Sequence, residues 1–120
     1  MDEPLGKVTI APNVLTTIVH QTTLEQPGVS RLVPVPPKMR GWLGSASAAE
    51  DGISVLVVDQ GVRVEVHVAA ENGNNLLKLG ETIQDSIVRA IEEMVGMTVA
   101  AVDVFIDDVV LPSLPIAEDS

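Results

Sequence analysis

Residues 61–109, GVRVEVHVAAENGNNLLKLGETIQDSIVRAIEEMVGMTVAAVDVFIDDV, decide the fold because they contain two predicted strands and the helix that connects them. The first strand has a period of two, and its valines at positions 62, 64, 66 and 68 face one way. Arg63, Glu65 and His67 face the other way. This alternation is typical of a strand that is covered on one face and open on the other.

A helix follows this strand after a short polar break. Gly73 can adopt a positive φ there, and Asn74 or Asn75 can accept the first amide hydrogen bonds of the helix. Gly96 lies just past the last apolar position and suits a left-handed C-cap. The apolar residues between these points are spaced by three and four, which predicts one buried stripe. The stripe consists of Leu76, Leu79, Ile83, Ile87, Ala90 or Ile91, and Met94.

The second strand of this unit is predicted at residues 97–109, with Val102, Val104 and Ile106 on one side. A hairpin leads into the unit. Its loop is Asp59-Gln60-Gly61, with Gly61 in the left-handed position, and it joins strands at residues 53–58 and 62–69.

The N-terminal half predicts a helix at residues 12–25, because Pro12 suits the first helical turn. Its apolar face is Val14, Leu15, Ile18, Val19 and Thr22. A short strand is predicted at residues 29–33. Prolines then open a long loop at residues 34–52, which is expected to be either functional or disordered. Residues 7–10 form a short strand or an extended lead-in, and residues 1–6 and 110–120 are expected to be flexible ends.

These elements predict one α+β domain at residues 7–109. Its architecture is a two-layer sandwich, with two helices on one face of a mixed or antiparallel sheet of three or four strands. The element order is (β)-α-β-β-β-α-β, where the first strand is the uncertain one.

The composition limits the classes of function that are expected for this chain. Seventeen acidic residues against seven basic ones give a net charge of -10, so neither nucleic-acid binding nor direct membrane insertion is expected. The chain has no cysteine, which excludes thiolate chemistry and fits a reducing compartment. It begins without a basic and apolar leader and has no apolar run near the ~20 residues that span a bilayer, so we expect a cytoplasmic protein.

Short sequence pieces follow one another in a definite order along residues 8–109. They are Ile10 with Val14-Leu15 and Ile18, Pro27-Gly28-Val29, Gly61 with Val62, Val64 and Val66, Gly73 before Ile83-Gln84 and Ile87, and residues 91–99 before Val102-Asp103-Val104. In this order and spacing they resemble the alkaline shock protein family of bacteria, also called the Gls family of general stress proteins. Asn72, Val95 and Asp103 differ from the residues common in that family.

The resemblance implies a small domain without known catalytic residues that is linked to envelope stress or homeostasis. It also implies self-association and, in some members, an integral partner protein that holds the domain at the membrane. We therefore expect a non-enzymatic scaffold that forms homo-oligomers and acts through protein contacts. The alternative is a small-molecule-sensing regulatory domain of βαββαβ type, in which two protomers clamp a polar molecule near Gly73 and Asn74.

The first candidate contact surface is the sheet face opposite the helices, because two helices in a short chain cover only one face. An exposed phenylalanine rimmed by charges suits a weak self-association surface, and the alternative is a solvated face without a partner. The residues predicted on this face are Arg63, Glu65, His67, Val99, Ala101, Asp103 and Phe105.

The second candidate is a basic and apolar segment that includes the only tryptophan. Trp42 can anchor in a partner's pocket while the cations meet acidic groups, or it can cover the domain's own core. The segment consists of Arg31, Lys38, Met39, Arg40, Trp42 and Leu43.

Catalytic and metal sites are not expected. An oxygen and nitrogen metal site can be drawn from His20, His67, Asp103, Asp107 and Asp108. The simpler interpretation is that these aspartates lie on the solvated face, so neither a metal nor a cofactor is predicted. The carboxylates of Glu92-Glu93 and of Asp107-Asp108 are adjacent and are expected to point apart, away from any shared substrate.

Overall fold

The computed structural model describes residues 5–35, 47–58 and 61–111. Helix α1 spans Pro12–Leu24. Strands β1, β2, β3 and β4 span Val29–Leu32, Ser47–Glu50, Ile53–Val58 and Gly61–Glu71. Helix α2 spans Leu76–Ala90 and continues into a π-helical turn at Ile91–Val95, and strand β5 spans Val99–Val110.

Strand β4 is the centre of a mixed five-stranded sheet. It pairs in parallel with β5 along most of its length, as expected for strands joined by a crossover helix. Along its other side it pairs antiparallel first with β3 and then with β1, and β2 pairs with the far side of β3. Both helices pack on one face of this sheet, so the predicted two-layer α+β architecture is confirmed.

The sheet has a fifth strand because part of the predicted loop at residues 34–52 is β2. Asp51 and Gly52 connect β2 to β3 with φ angles of 42° and 86°, the double positive φ of a tight hairpin turn. A Cβ on Gly52 would lie 2.4 Å from the Val33 carbonyl oxygen, so glycine is also needed for close approach. Residues 36–46 lie outside the described residues, and residues 7–10 form no strand.

Helix α1 buries a different face from the one predicted. Leu15 and Val19 are buried as expected, but Thr16 and Thr23 are buried instead of Val14 and Thr22. The Thr16 hydroxyl donates to the Asn13 carbonyl at 2.9 Å, which lets a polar side chain enter the core without losing its hydrogen bond.

Helix α2 buries Leu79, Ile83, Ile87 and Ile91, which confirms the predicted stripe in this part of the helix. The prediction for Met94 is wrong, because its side chain is 71% exposed. The π-helical turn adds a residue to the last turn and rotates Met94 away from the sheet. Gly96 ends the helix with φ 80° and ψ 18°, the predicted left-handed C-cap.

Candidate interaction surface

The outer face is the sheet surface opposite the two helices. The strand register aligns Arg63 with Ala101, Glu65 with Asp103, and His67 with Phe105. The structure therefore brings together the predicted residues of β4 and β5, and Ser54 and Leu56 of β3 extend the same face through their pairing with β4.

His67 is held between two carboxylates on this face. Its Nδ1 lies 2.7 Å from an oxygen of Asp107, and its Nε2 lies 2.8 Å from an oxygen of Glu65. The imidazole also stacks on the Phe105 ring, with centroids 4.5 Å apart and planes 8° from parallel. Both carboxylate contacts are hydrogen bonds only when both ring nitrogens carry hydrogen, because carboxylates accept and do not donate. We call these four residues the His67 cluster.

Two irregularities in the pairing of β4 with β5 decide which side chains reach the outer face. The first lies between Val62 and Arg63. It leaves Val99 opposite Val62 and packed against the core, so the prediction that Val99 lies on the outer face is wrong. Strict alternation along β5 fails there because one extra residue, Ala100, enters the strand.

The second irregularity lies between Val68 and Ala69 and places an extra residue, Asp107, in β5. Alternation alone places Asp107 on the outer face, where it contacts His67, and the extra residue brings Asp108 to the same face, where it forms an ion pair with Arg31. Both adjacent carboxylates thus have partners on the outer face, Asp107 at His67 and Asp108 at Arg31, and they share no partner.

Two longer ion pairs lie on either side of the His67 cluster. A guanidinium nitrogen of Arg63 lies 3.9 Å from a carboxylate oxygen of Asp103, and one of Arg31, in β1, lies 3.5 Å from a carboxylate oxygen of Asp108. All four side chains are more than half exposed. Such pairs contribute at most about 1 kcal/mol to stability. Of the predicted basic segment, only Arg31 is placed here, since Lys38, Met39, Arg40, Trp42 and Leu43 lie outside the described residues.

Phe105 remains 43% exposed although it stacks on His67. Half-buried Leu56 and Ala101 lie on the same face, and the ion pairs border this apolar centre. An aromatic ring in such a position, bordered by both signs of charge, is suited to contact another protein surface.

The predicted turn and cap residues Asn74 and Asn75 form side-chain hydrogen bonds to the main chain. Asn75 caps helix α2 by accepting from the Lys78 amide at 3.0 Å, and the Asn74 side chain donates to the Glu71 carbonyl at 2.7 Å. A cavity of about 260 Å³ lies beside them, lined by Pro27, Asn74, Asn75, Lys78, Leu79 and Thr82. One polar atom of each side-chain amide, Nδ2 of Asn74 and Oδ1 of Asn75, is therefore used by the turn and the cap.

The structure does not assemble the five-residue metal set that the sequence suggests. His67 and Asp107 are close, but His20 lies on helix α1 with its ring near Glu50 and Asp51. The potential ligand atoms of these three residues lie within 4.8 Å of one another. Both carboxylates are exposed, and grouped surface acids are common without an ion, so we assign no metal to them.

His67→Phe is expected to destabilise the fold by about 1–3 kcal/mol, because the ring can still stack but the carboxylates of Glu65 and Asp107 lose their shared donor. Urea denaturation with and without Glu65→Gln and Asp107→Asn measures this effect. In the triple variant part of the stability should return, since the two like charges are removed. Equal stability of His67→Phe and the unmodified chain would show that the cluster contributes nothing.

A family comparison matches residues 1–111 to the alkaline shock protein 23 family, which has a cell envelope-related function. The chain belongs to this family. The predicted resemblance is thereby confirmed. No curated protein matches the chain closely enough to add a more specific activity.

Solved structures resemble this alkaline shock protein 23 family member only distantly. A manganese form of the MamM CTD is 10% identical, with a TM-score of 0.48 over 80% of this chain and 96% of that one. A zinc form is 8% identical, with a TM-score of 0.47 over 88% of this chain and 90% of that one. Neither likeness carries a functional argument. Among the described residues, no helix of this family member is long and apolar enough to cross a membrane.

Proposed function

We propose that this alkaline shock protein 23 family member is a non-enzymatic scaffold of the cell envelope that associates with copies of itself through the outer face. The main support is Phe105, the chain's only phenylalanine, which is 43% exposed in the middle of that face. The His67 stack holds its ring in one orientation, so little side-chain freedom is lost on contact.

The distribution of charge favours a second copy as the partner. The outer face carries cations at Arg31 and Arg63 and carboxylates at Asp103 and Asp108. A two-fold axis near Phe105 can place cations of one protomer opposite carboxylates of the other, because a two-fold interface brings the same patch together with itself. A face with both signs of charge is in this way complementary to itself, although the chain as a whole carries a charge of -10.

An enzymatic role has little support in the part of the chain that the structure describes. The His67 cluster contains the best aligned carboxylates, but both contact the same imidazole. General acid and base catalysis needs groups within hydrogen-bond reach of a bound substrate.

We place the protein in the cytoplasm, where an integral partner protein would hold it at the membrane.

Phe105→Glu is expected to convert a concentration-dependent oligomer into a monomer, because it puts a carboxylate at the apolar centre of the contact. Sedimentation velocity over a concentration series measures the change. Leu77→Glu is the matched control, since Leu77 is 75% exposed on helix α2, on the opposite side of the sheet, and should leave the oligomer intact. A chain that is already monomeric throughout the series, or equal effects of both variants, would refute the proposal.

A further inference from the structure

Strand β5 has an open edge in the described part of the chain. It is twelve residues long and pairs with β4 alone among residues 5–35, 47–58 and 61–111. Between the two irregularities, Ala101–Ile106 keeps a regular register and contains neither proline nor a basic residue. Proline, lysine and irregular pairing are the common means of protecting an edge, so this central part of β5 can accept another strand.

One hydrogen bond shows which backbone groups face this edge. The side-chain amide of Gln84 donates to the Val102 carbonyl at 3.0 Å, so a helix α2 side chain satisfies a group that the β4 ladder leaves open. In a strand, backbone groups of alternate residues point to the same edge. The backbone groups of Val104 and Ile106 therefore face the same way as those of Val102.

A groove of about 340 Å³ between helix α2 and β5 lies beside this edge. Its β5 side is formed by Val104 and Ile106, and its α2 side is formed by Leu76, Leu77, Gly80, Glu81 and Gln84. The groove has free space above Gly80, because a Cβ added there would meet nothing nearer than Ile106 Cδ1, at 3.9 Å. Alternate side chains of an added strand would point into the groove.

The charges at the edge favour one kind of occupant. The charged residues of β5 are all acidic, namely Asp103, Asp107 and Asp108, and Glu81 borders the groove. These aspartates contact Arg63, His67 and Arg31 of their own protomer, but a second β5 would still add acidic residues to a chain whose net charge is -10, which disfavours edge pairing between copies. A segment that alternates basic and aliphatic residues would instead direct its cations to the outer side and its aliphatic side chains into the groove.

We propose that β5 and the groove beside it bind an extended segment of another protein by strand addition, and that this segment alternates basic with aliphatic residues. Main-chain hydrogen bonds to Val104 and Ile106 supply the affinity, and the groove selects for aliphatic side chains. This binding site lies at the edge and helix side of the sheet, so it goes beyond the self-association proposed for the outer face.

An end-capped peptide that alternates lysine and valine is a suitable probe, with a peptide of the same composition in separate lysine and valine blocks as the control. The alternating peptide should slow amide hydrogen exchange at Val104 and Ile106. Gly80→Leu, which fills the groove, should weaken its binding about tenfold. Gly80→Ala tests that a side chain at this position is tolerated, because its Cβ would meet nothing nearer than 3.9 Å.

Equal binding of the two peptides would overturn the proposal, as would protection that maps away from β5 or unchanged binding by Gly80→Leu. Edge protection that rises with protein concentration in the absence of peptide would show that a second copy occupies the edge, which also contradicts the proposal.

Discussion

Gly61→Ala is expected to lower the free energy of unfolding by roughly 3 kcal/mol or more. Gly61 has φ 129°, and a Cβ there would lie 2.4 Å from the Thr98 carbonyl oxygen. The same carbonyl accepts the Val62 amide at 2.9 Å, the contact at which the pairing of β4 with β5 begins. A methyl group at this point therefore adds backbone strain and separates the two strands.

Gly73→Ala is the matched control for that variant. Gly73 also has a positive φ, 98°, but a Cβ there would meet nothing within 4 Å. Gly73→Ala should lower the free energy of unfolding only through backbone strain, by about 1–3 kcal/mol. Urea denaturation of both variants separates backbone strain from the close contact with the Thr98 carbonyl. Equal losses of unfolding free energy in the two variants would show that this close contact does not affect stability.

Ile83→Ala is expected to cost about 2–5 kcal/mol, because Ile83 is fully buried where helix α2 packs on the sheet. Deleting three carbon atoms leaves a cavity that the surrounding core fills only in part. Leu77→Ala on the same helix is the control, since a side chain that is 75% exposed should change stability by at most about 0.5 kcal/mol. Chemical denaturation measures both variants. Comparable losses would mean that helix α2 is not packed as described.

The elements with a strong local pattern could be predicted from the sequence. The alternation in β4, the apolar stripe of helix α2 and the stop at Gly96 each depend on neighbouring residues alone, and the structure has all three. The sequence pattern does not predict strand β2, although Asp51-Gly52 is a strong hairpin signal, because the preceding prolines favour a continuous loop.

The candidate surface was harder to predict because it depends on register. Alternation placed Glu65, His67 and Phe105 on one face, but nothing local shows that Phe105 lies opposite His67. Each irregularity in β5 shifts the residues beyond it by one position, which turns Val99 inward and brings Asp108 beside Asp107 on the outer face. Pairing between strands that are far apart in sequence is set by tertiary packing, and single-sequence patterns do not encode it.

On the side of β4 that faces β1 and β3, the backbone of one residue, His67, is hydrogen-bonded to the chain next to both strands. The His67 amide donates to the Gly52 carbonyl, and the His67 carbonyl accepts from the Val33 amide, both at 2.9 Å. In the described sheet β1 and β3 do not pair with each other, so His67 is the residue of β4 at which these two neighbouring strands meet. The peptide of His67 therefore bridges two strands that do not pair with each other.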